Sequence, residues 1–168
     1  MKKILGLFAM VLGLALVPGG ASAQQKSIKD QIVGTWTLLL SDSVKADGTH
    51  VPGYGPNPMG TAMFSPNGHY SLQIYRVGRP AFKSNSRATG TNDENKAAVL
   101  GMISHFGTYA VDESDKSLTL RIEASSYPNW DATKQKRPIT CITDEVLCWT
   151  TPVASAGDKA EIIWKRAK

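Results

Sequence analysis

Between residues 32 and 166 the chain repeats one arrangement: a short run rich in β-branched and aromatic residues, then a turn built from Gly, Pro, Asn or Asp. The first run is Ile32-Val33-Gly34-Thr35-Trp36-Thr37-Leu38-Leu39-Leu40, and others fall at residues 59–65, 69–77, 105–112, 117–125, 137–143, 146–151 and 160–166. Pro66-Asn67-Gly68 joins the second and third runs as a tight hairpin turn. Strands at this spacing with hairpin connections predict an all-β fold, an antiparallel sandwich or barrel. An eight-stranded closed barrel is either filled by side chains or wide enough for one small ligand. A chain of 168 residues is the length of one such domain, and no repeat or linker divides it.

Two segments fall outside the strand pattern. Residues 45–58 contain Asp47-Gly48, Pro52-Gly53, Gly55, Pro56 and Pro58, which exclude regular structure and predict a long loop of the kind that covers a site. Thr91-Asn92-Asp93-Glu94 has capping-box spacing and opens the single helix, expected over residues 92–104. Its stretch Ala97-Ala98-Val99-Leu100-Gly101-Met102-Ile103 has no polar side, so the helix is expected to be covered on several sides as a plug at one barrel end.

The amino terminus reads as a secretory signal. Lys2 and Lys3 precede an apolar run over residues 4–17, and Pro18-Gly19-Gly20 then leads to Ala21-Ser22-Ala23. As a helix the apolar run would rise only about 21 Å, short of the roughly 30 Å hydrocarbon core. Residues 1–23 are therefore the expected signal peptide and residues 24–168 the barrel domain, periplasmic or secreted. Removing Lys2 and Lys3 takes the formal charge from +5 to +3. The remaining Lys and Arg are scattered, so no nucleic-acid partner is implied, and no second apolar stretch is long enough to span a membrane. The oligomeric state is not encoded in any pattern of this kind.

The two cysteines, Cys141 and Cys148, flank Ile142-Thr143-Asp144-Glu145-Val146-Leu147. If Asp144-Glu145 is a hairpin tip, they lie opposite each other at a Cα separation a disulfide tolerates, and an oxidising compartment would keep them paired. The alternative is two small apolar residues on facing strands. With Leu147 and Trp149 forming the more apolar face, Cys148 belongs on the outer side.

Several motifs together carry a resemblance. Gly34-Thr35-Trp36 on the first strand is followed by Tyr54-Gly55-Pro56-Asn57-Pro58-Met59-Gly60, Phe64-Ser65-Pro66-Asn67-Gly68-His69-Tyr70, Phe106-Gly107-Thr108-Tyr109, Ser126-Tyr127-Pro128-Asn129-Trp130 and Trp164-Lys165-Arg166. In this order they resemble the bacterial and fungal lipocalin-like domain family over roughly residues 32–166. The resemblance implies an eight-stranded antiparallel lipocalin-like barrel, one short helix and an internal cavity. It also implies structural roles for Gly34, Trp36, Trp164 and Arg166, with Trp164 or Arg166 closing the barrel floor against Trp36. Function does not follow from such a fold.

Catalytic signatures are absent from the sequence. His50, His69 and His105 have no ligand spacing, so no metal is expected; there is no Gly-x-Ser-x-Gly elbow and no phosphate-cradling loop, so neither a hydrolase nor a cofactor is implied. The alternation of residues 69–77 places Tyr70 and Arg76 with Leu72 and Ile74 on the inward face. Arg121 alternates with Leu118, Leu120 and Ile122, and is either solvated beside Glu123 or part of a polar cavity wall. With Tyr109 on a strand and Tyr54 and Trp130 on loops, the candidate ligand-binding set is Tyr54, Tyr70, Arg76, Tyr109, Arg121 and Trp130.

These residues predict an aromatic-lined cavity with one cationic group, for a small hydrophobic or amphipathic molecule carrying an acceptor oxygen or carboxylate. A cofactor-free isomerase or cyclase with Tyr70 or Tyr109 as general acid, and a structural envelope protein with a filled barrel, are the alternatives. A deeply buried ionisable group beside open volume favours the enzyme, an apolar cavity the binder, and no cavity the structural role.

Overall fold

A computed structural model describes residues 26–168, and the expected signal peptide lies outside the described residues. The strands are β1 (Gly34–Val44), β2 (His50–Pro52), β3 (Met59–Phe64), β4 (His69–Tyr75), β5 (Met102–Asp112), β6 (Ser117–Ser125), β7 (Lys134–Ile142), β8 (Val146–Thr151) and β9 (Lys159–Arg166). The helices are α1 (Ile28–Ile32) and α2 (Asn92–Leu100). Every adjacent pair is antiparallel, and β1 pairs with β3 on one side and β9 on the other. That pairing closes β1 and β3 to β9 into an eight-stranded barrel, with β2 folded back on the end of β1.

The expected loop over residues 45–58 therefore contains one short strand, because the Asp47-Gly48 turn lets His50–Pro52 return along β1 in the register Val44↔His50. The first strand also starts later than its apolar run. Ile32 ends α1, which is capped by the Ser27 hydroxyl and held by Glu113, whose carboxylate accepts from the Ile28 and Lys29 amides at 3.0 and 2.9 Å.

One barrel end is sealed. Trp36 is fully buried and donates from Nε1 to the Ile32 carbonyl at 2.8 Å, while the Arg166 guanidinium lies 4.1 Å from the centre of its ring. Arg166 also donates to the carbonyls of Val33 (2.9 Å), Gln31 and Asp144. Gly34 adopts φ +128°, and a Cβ there would sit 2.8 Å from Arg166 Nη1. The spacing of Gly34 and Trp36 thus provides backbone freedom, room for the arginine, and the ring it covers. Trp164 is fully buried beside Trp149, so Arg166 closes the floor on Trp36 while Trp164 fills the core above it. The Cys141–Cys148 disulfide, Cα–Cα 4.8 Å, pins the β7–β8 hairpin at this end, with Leu147 and Trp149 on the buried face.

The other end is open. A bulge in β1 between Leu38 and Leu40 leaves Leu39 outward, takes Leu40 off the inner face and brings Ser41 into the interior, where unbroken alternation would place Leu40. The helix is shorter than its apolar stretch: α2 stops at Leu100, Gly101 caps it, and Met102 already belongs to β5. Nor does it plug the barrel. Val99 and Leu100 are 65% and 61% exposed at the rim, so the expected burial of this helix is corrected. Its first turn conforms to expectation, with Thr91 and Glu94 forming the reciprocal capping box.

Candidate functional site

A cavity of about 260 Å³ opens at this end, between the rim of α2 and the β8–β9 turn. Its wall is largely apolar, from Leu72, Ile74, Ile103, Leu120, Trp149 and Ile162, all buried inward-facing strand residues. Aromatic side chains stand at its margin: Tyr54 from the loop after β2, and Tyr127 and Trp130 from the turn between β6 and β7. Burial raises the Tyr54 hydroxyl above its usual range, with a hydrogen bond from Ser155 partly offsetting it.

Set in this wall is one cluster of buried titratable side chains. His105 on β5 is 5% exposed, and its Nδ1 is 2.8 Å from the Tyr70 hydroxyl on β4. Arg137 on β7 is 3% exposed, and its guanidinium carbon lies 5.7 Å from the centre of the Trp130 ring. The Trp130 ring in turn meets His105 edge-on at 5.7 Å and Tyr127 at the same distance. Burial, and secondarily the charge of Arg137, hold His105 down to about 3, so it is neutral at physiological pH. Burial also lowers Arg137 to about 10, which leaves it a cation. Tyr70 is pushed well above the usual tyrosine range by burial, against the opposing pull of Arg137. Among the described residues His105 Nδ1 is the one hydrogen-bond partner of the buried Tyr70 hydroxyl, so the phenol proton is assigned to that bond, with Tyr70 donating to Nδ1 and the ring proton on Nε2. Among the described residues nothing accepts from that Nε2.

Eight antiparallel strands closed on themselves, a floor sealed by Arg166 over Trp36, and a cavity at the opposite end agree with the resemblance carried by the sequence motifs. The sequence profile of the lipocalin-like domain matches residues 33–167. The chain belongs to the lipocalin-like domain family. A 4'-hydroxy-3'-methoxypropiophenone carrier protein of Aspergillus oryzae is 26% identical over 106 residues, 57% of this chain and 95% of the relative. Two solved structures are similar at 15% identity. One is a redesigned β-barrel (TM-score 0.44, 85% of this chain and 100% of that one). The other is a lipocalin-like protein from Bacteroides uniformis (TM-score 0.43, 82% and 99%).

In this lipocalin-like barrel the sequence-derived candidates separate. Tyr54 and Trp130 line the cavity, and Tyr70 stands behind it, reaching it through His105. Arg76 does not sit on the wall: β4 ends at Tyr75, the alternation stops there, and Arg76 is exposed beside Gly55. Tyr109 lies at the sealed end, packed on Phe64 and donating to the Ser65 carbonyl at 2.9 Å. Arg121 faces solvent because Leu118, Leu120 and Ile122 take the interior side of β6.

The cation in the cavity is Arg137, and the polar partner is His105; neither was among the candidates. Both signals were present. His105 alternates with Ile103 and Gly107, and Arg137 with Ile139, placing each polar side chain on an apolar face. Gly107 lies opposite the β6 bulge at Glu123, while the alternation of β5 runs on through it. Gly107 has φ +156°, where a Cβ would meet the Arg121 carbonyl oxygen at 2.1 Å.

Proposed function

We infer that this lipocalin-like protein binds a compact, mostly apolar small molecule in the open end of its barrel, and does so in a periplasmic or extracellular compartment. The observation that carries the reading is a largely apolar cavity, rimmed by Tyr54, Tyr127 and Trp130, into which buried polar side chains such as His105 and Arg137 converge. That composition is the usual one for small-molecule sites, where burial supplies affinity and isolated polar groups fix orientation. At about 260 Å³ the space is below the roughly 300–1,000 Å³ of drug-sized sites, which favours a molecule with one ring or a short chain. The carrier activity in the name of the Aspergillus oryzae relative supports binding over turnover. The Cys141–Cys148 disulfide and the signal-like amino terminus support export. No helix among the described residues is long and apolar enough to cross a membrane.

A second reading has one observation in its favour. A Tyr70–His105 pair beside open volume is the furniture of proton transfer without a cofactor. It carries less weight, because burial makes Tyr70 a weak acid and His105 a weak base at neutral pH.

The test is a titration of single-ring acids, short fatty acids and neutral aromatic ketones, followed by tryptophan fluorescence, with native mass spectrometry of protein purified from its own source. A saturable signal that Trp130→Phe diminishes, or a retained small molecule, is the expected result. Failure of the whole panel together with an empty native spectrum overturns the reading. Chemical conversion of a bound compound on incubation would move the assignment to the enzyme.

A further inference from the structure

At Arg137 the cavity wall presents a cation and hydrogen-bond donors without a counter-charge, which points to the chemistry of its ligand. On β7 the pleat places Arg137 and Ile139 inside while Lys136, Pro138 and Thr140 face out, so Arg137 is built into the interior layer. Its Cα partner across the strand pair is Leu118, which is fully buried. Two of the five guanidinium N–H groups have acceptors, the Gln135 side-chain oxygen and the Lys136 carbonyl. Among the described residues no ion pair includes Arg137. Asp42 also lines the cavity, but its carboxylate is 3.6 Å from His50 Nδ1 at the rim.

The neighbours of Arg137 add donors. Tyr70 uses its proton on His105 Nδ1, which leaves the Nε2 proton of His105 as a second donor on the cavity wall. A buried, unpaired cation beside a neutral N–H donor is matched by a group that only accepts hydrogen bonds and carries negative charge. An ionised carboxylate has both properties; a ketone has the first alone, and an alcohol neither.

Resting on the binding reading above, we propose that Arg137, with His105 beside it, holds the carboxylate of a small aryl or alkyl acid whose apolar body fills the rest of the cavity. Arg137 is then the residue that selects acids over their neutral counterparts. Trp130 keeps its ring against the guanidinium and shields the ion pair from water.

The experiment compares hydrocinnamate with benzylacetone, in which a methyl ketone replaces the carboxylate at almost the same shape. Affinities are measured at neutral pH for the native protein, Arg137→Met and Arg137→Lys, with each fold checked by circular dichroism. The native protein is expected to bind the acid at least about tenfold more tightly than the ketone. Arg137→Met should erase that preference, and Arg137→Lys should retain part of it. Equal affinity for the two compounds in the native protein, or a preference that survives Arg137→Met, overturns the proposal and leaves the binding reading standing. Binding of neither compound counts against both. The comparison within the native protein decides the matter even if a variant does not fold.

Discussion

The two ends of the barrel each place an arginine against a tryptophan ring, and they use it differently. At the floor, Arg166 lies 4.1 Å from the centre of Trp36 and donates to three backbone carbonyls, those of Gln31, Val33 and Asp144. At the open end, Arg137 lies 5.7 Å from the centre of Trp130 and is satisfied only by Gln135 and Lys136, with the cavity beside it. The first arrangement ties the chain before β1, the β7–β8 hairpin and β9 into one unit. The second leaves a charge in a largely apolar interior without a counter-charge, which lowers stability unless something else is gained. The same side chain thus acts as a fastener at one end and, in the proposal above, as a receptor group at the other.

The contrast breaks most visibly at the floor. Arg166→Met should lower folding stability by about 3 kcal/mol, since it removes the cation–π contact with Trp36 and strands three acceptors at once. Chemical denaturation of the ligand-free protein measures this, and a loss near zero would show that the floor does not depend on Arg166.

His105 sharpens the comparison through pH. Its folded value of about 3 lies below the ordinary 6.5, so between these limits the unfolded chain binds a proton that the folded chain refuses. Its contribution is therefore complete above pH 6.5 and is lost as pH falls toward 3, at up to about 1.4 kcal/mol per pH unit. Denaturation midpoints at pH 7 and pH 5 should diverge by about 2 kcal/mol more in the native protein than in His105→Gln. Parallel pH dependence in the two proteins would mean that His105 already titrates normally when folded.

The floor was legible from sequence and much of the site was not, for a physical reason. Gly34, Trp36, Trp164 and Arg166 are close to the strand termini they organise, and Gly-x-Trp is a local pattern whose spacing carries its geometry. The disulfide likewise followed from one hairpin. The cavity depends on interruptions of local pattern. The β1 bulge exchanges Leu40 for Ser41 on the inner face, β6 takes up an extra residue at Glu123 opposite Gly107, and β4 ends one residue before Arg76. Alternation read past those points assigns the wrong cation. It also treats His105 and Arg137 as unrelated, because they lie on different strands and meet only through the barrel, where Trp130 packs against both. Helix length failed for a similar reason: Met102 and Ile103 are apolar because β5 needs them, not because α2 continues.

The smallest expected effect is the most direct test of the contrast between the two arginines. In Arg137→Met, measured by urea denaturation without ligand beside the native protein, the account predicts stability unchanged within about 1 kcal/mol or raised, because an apolar side chain replaces a buried charge that lacks a counter-ion. A loss as large as that of Arg166→Met would contradict it, and would place Arg137 with Arg166 among the residues that hold the barrel together.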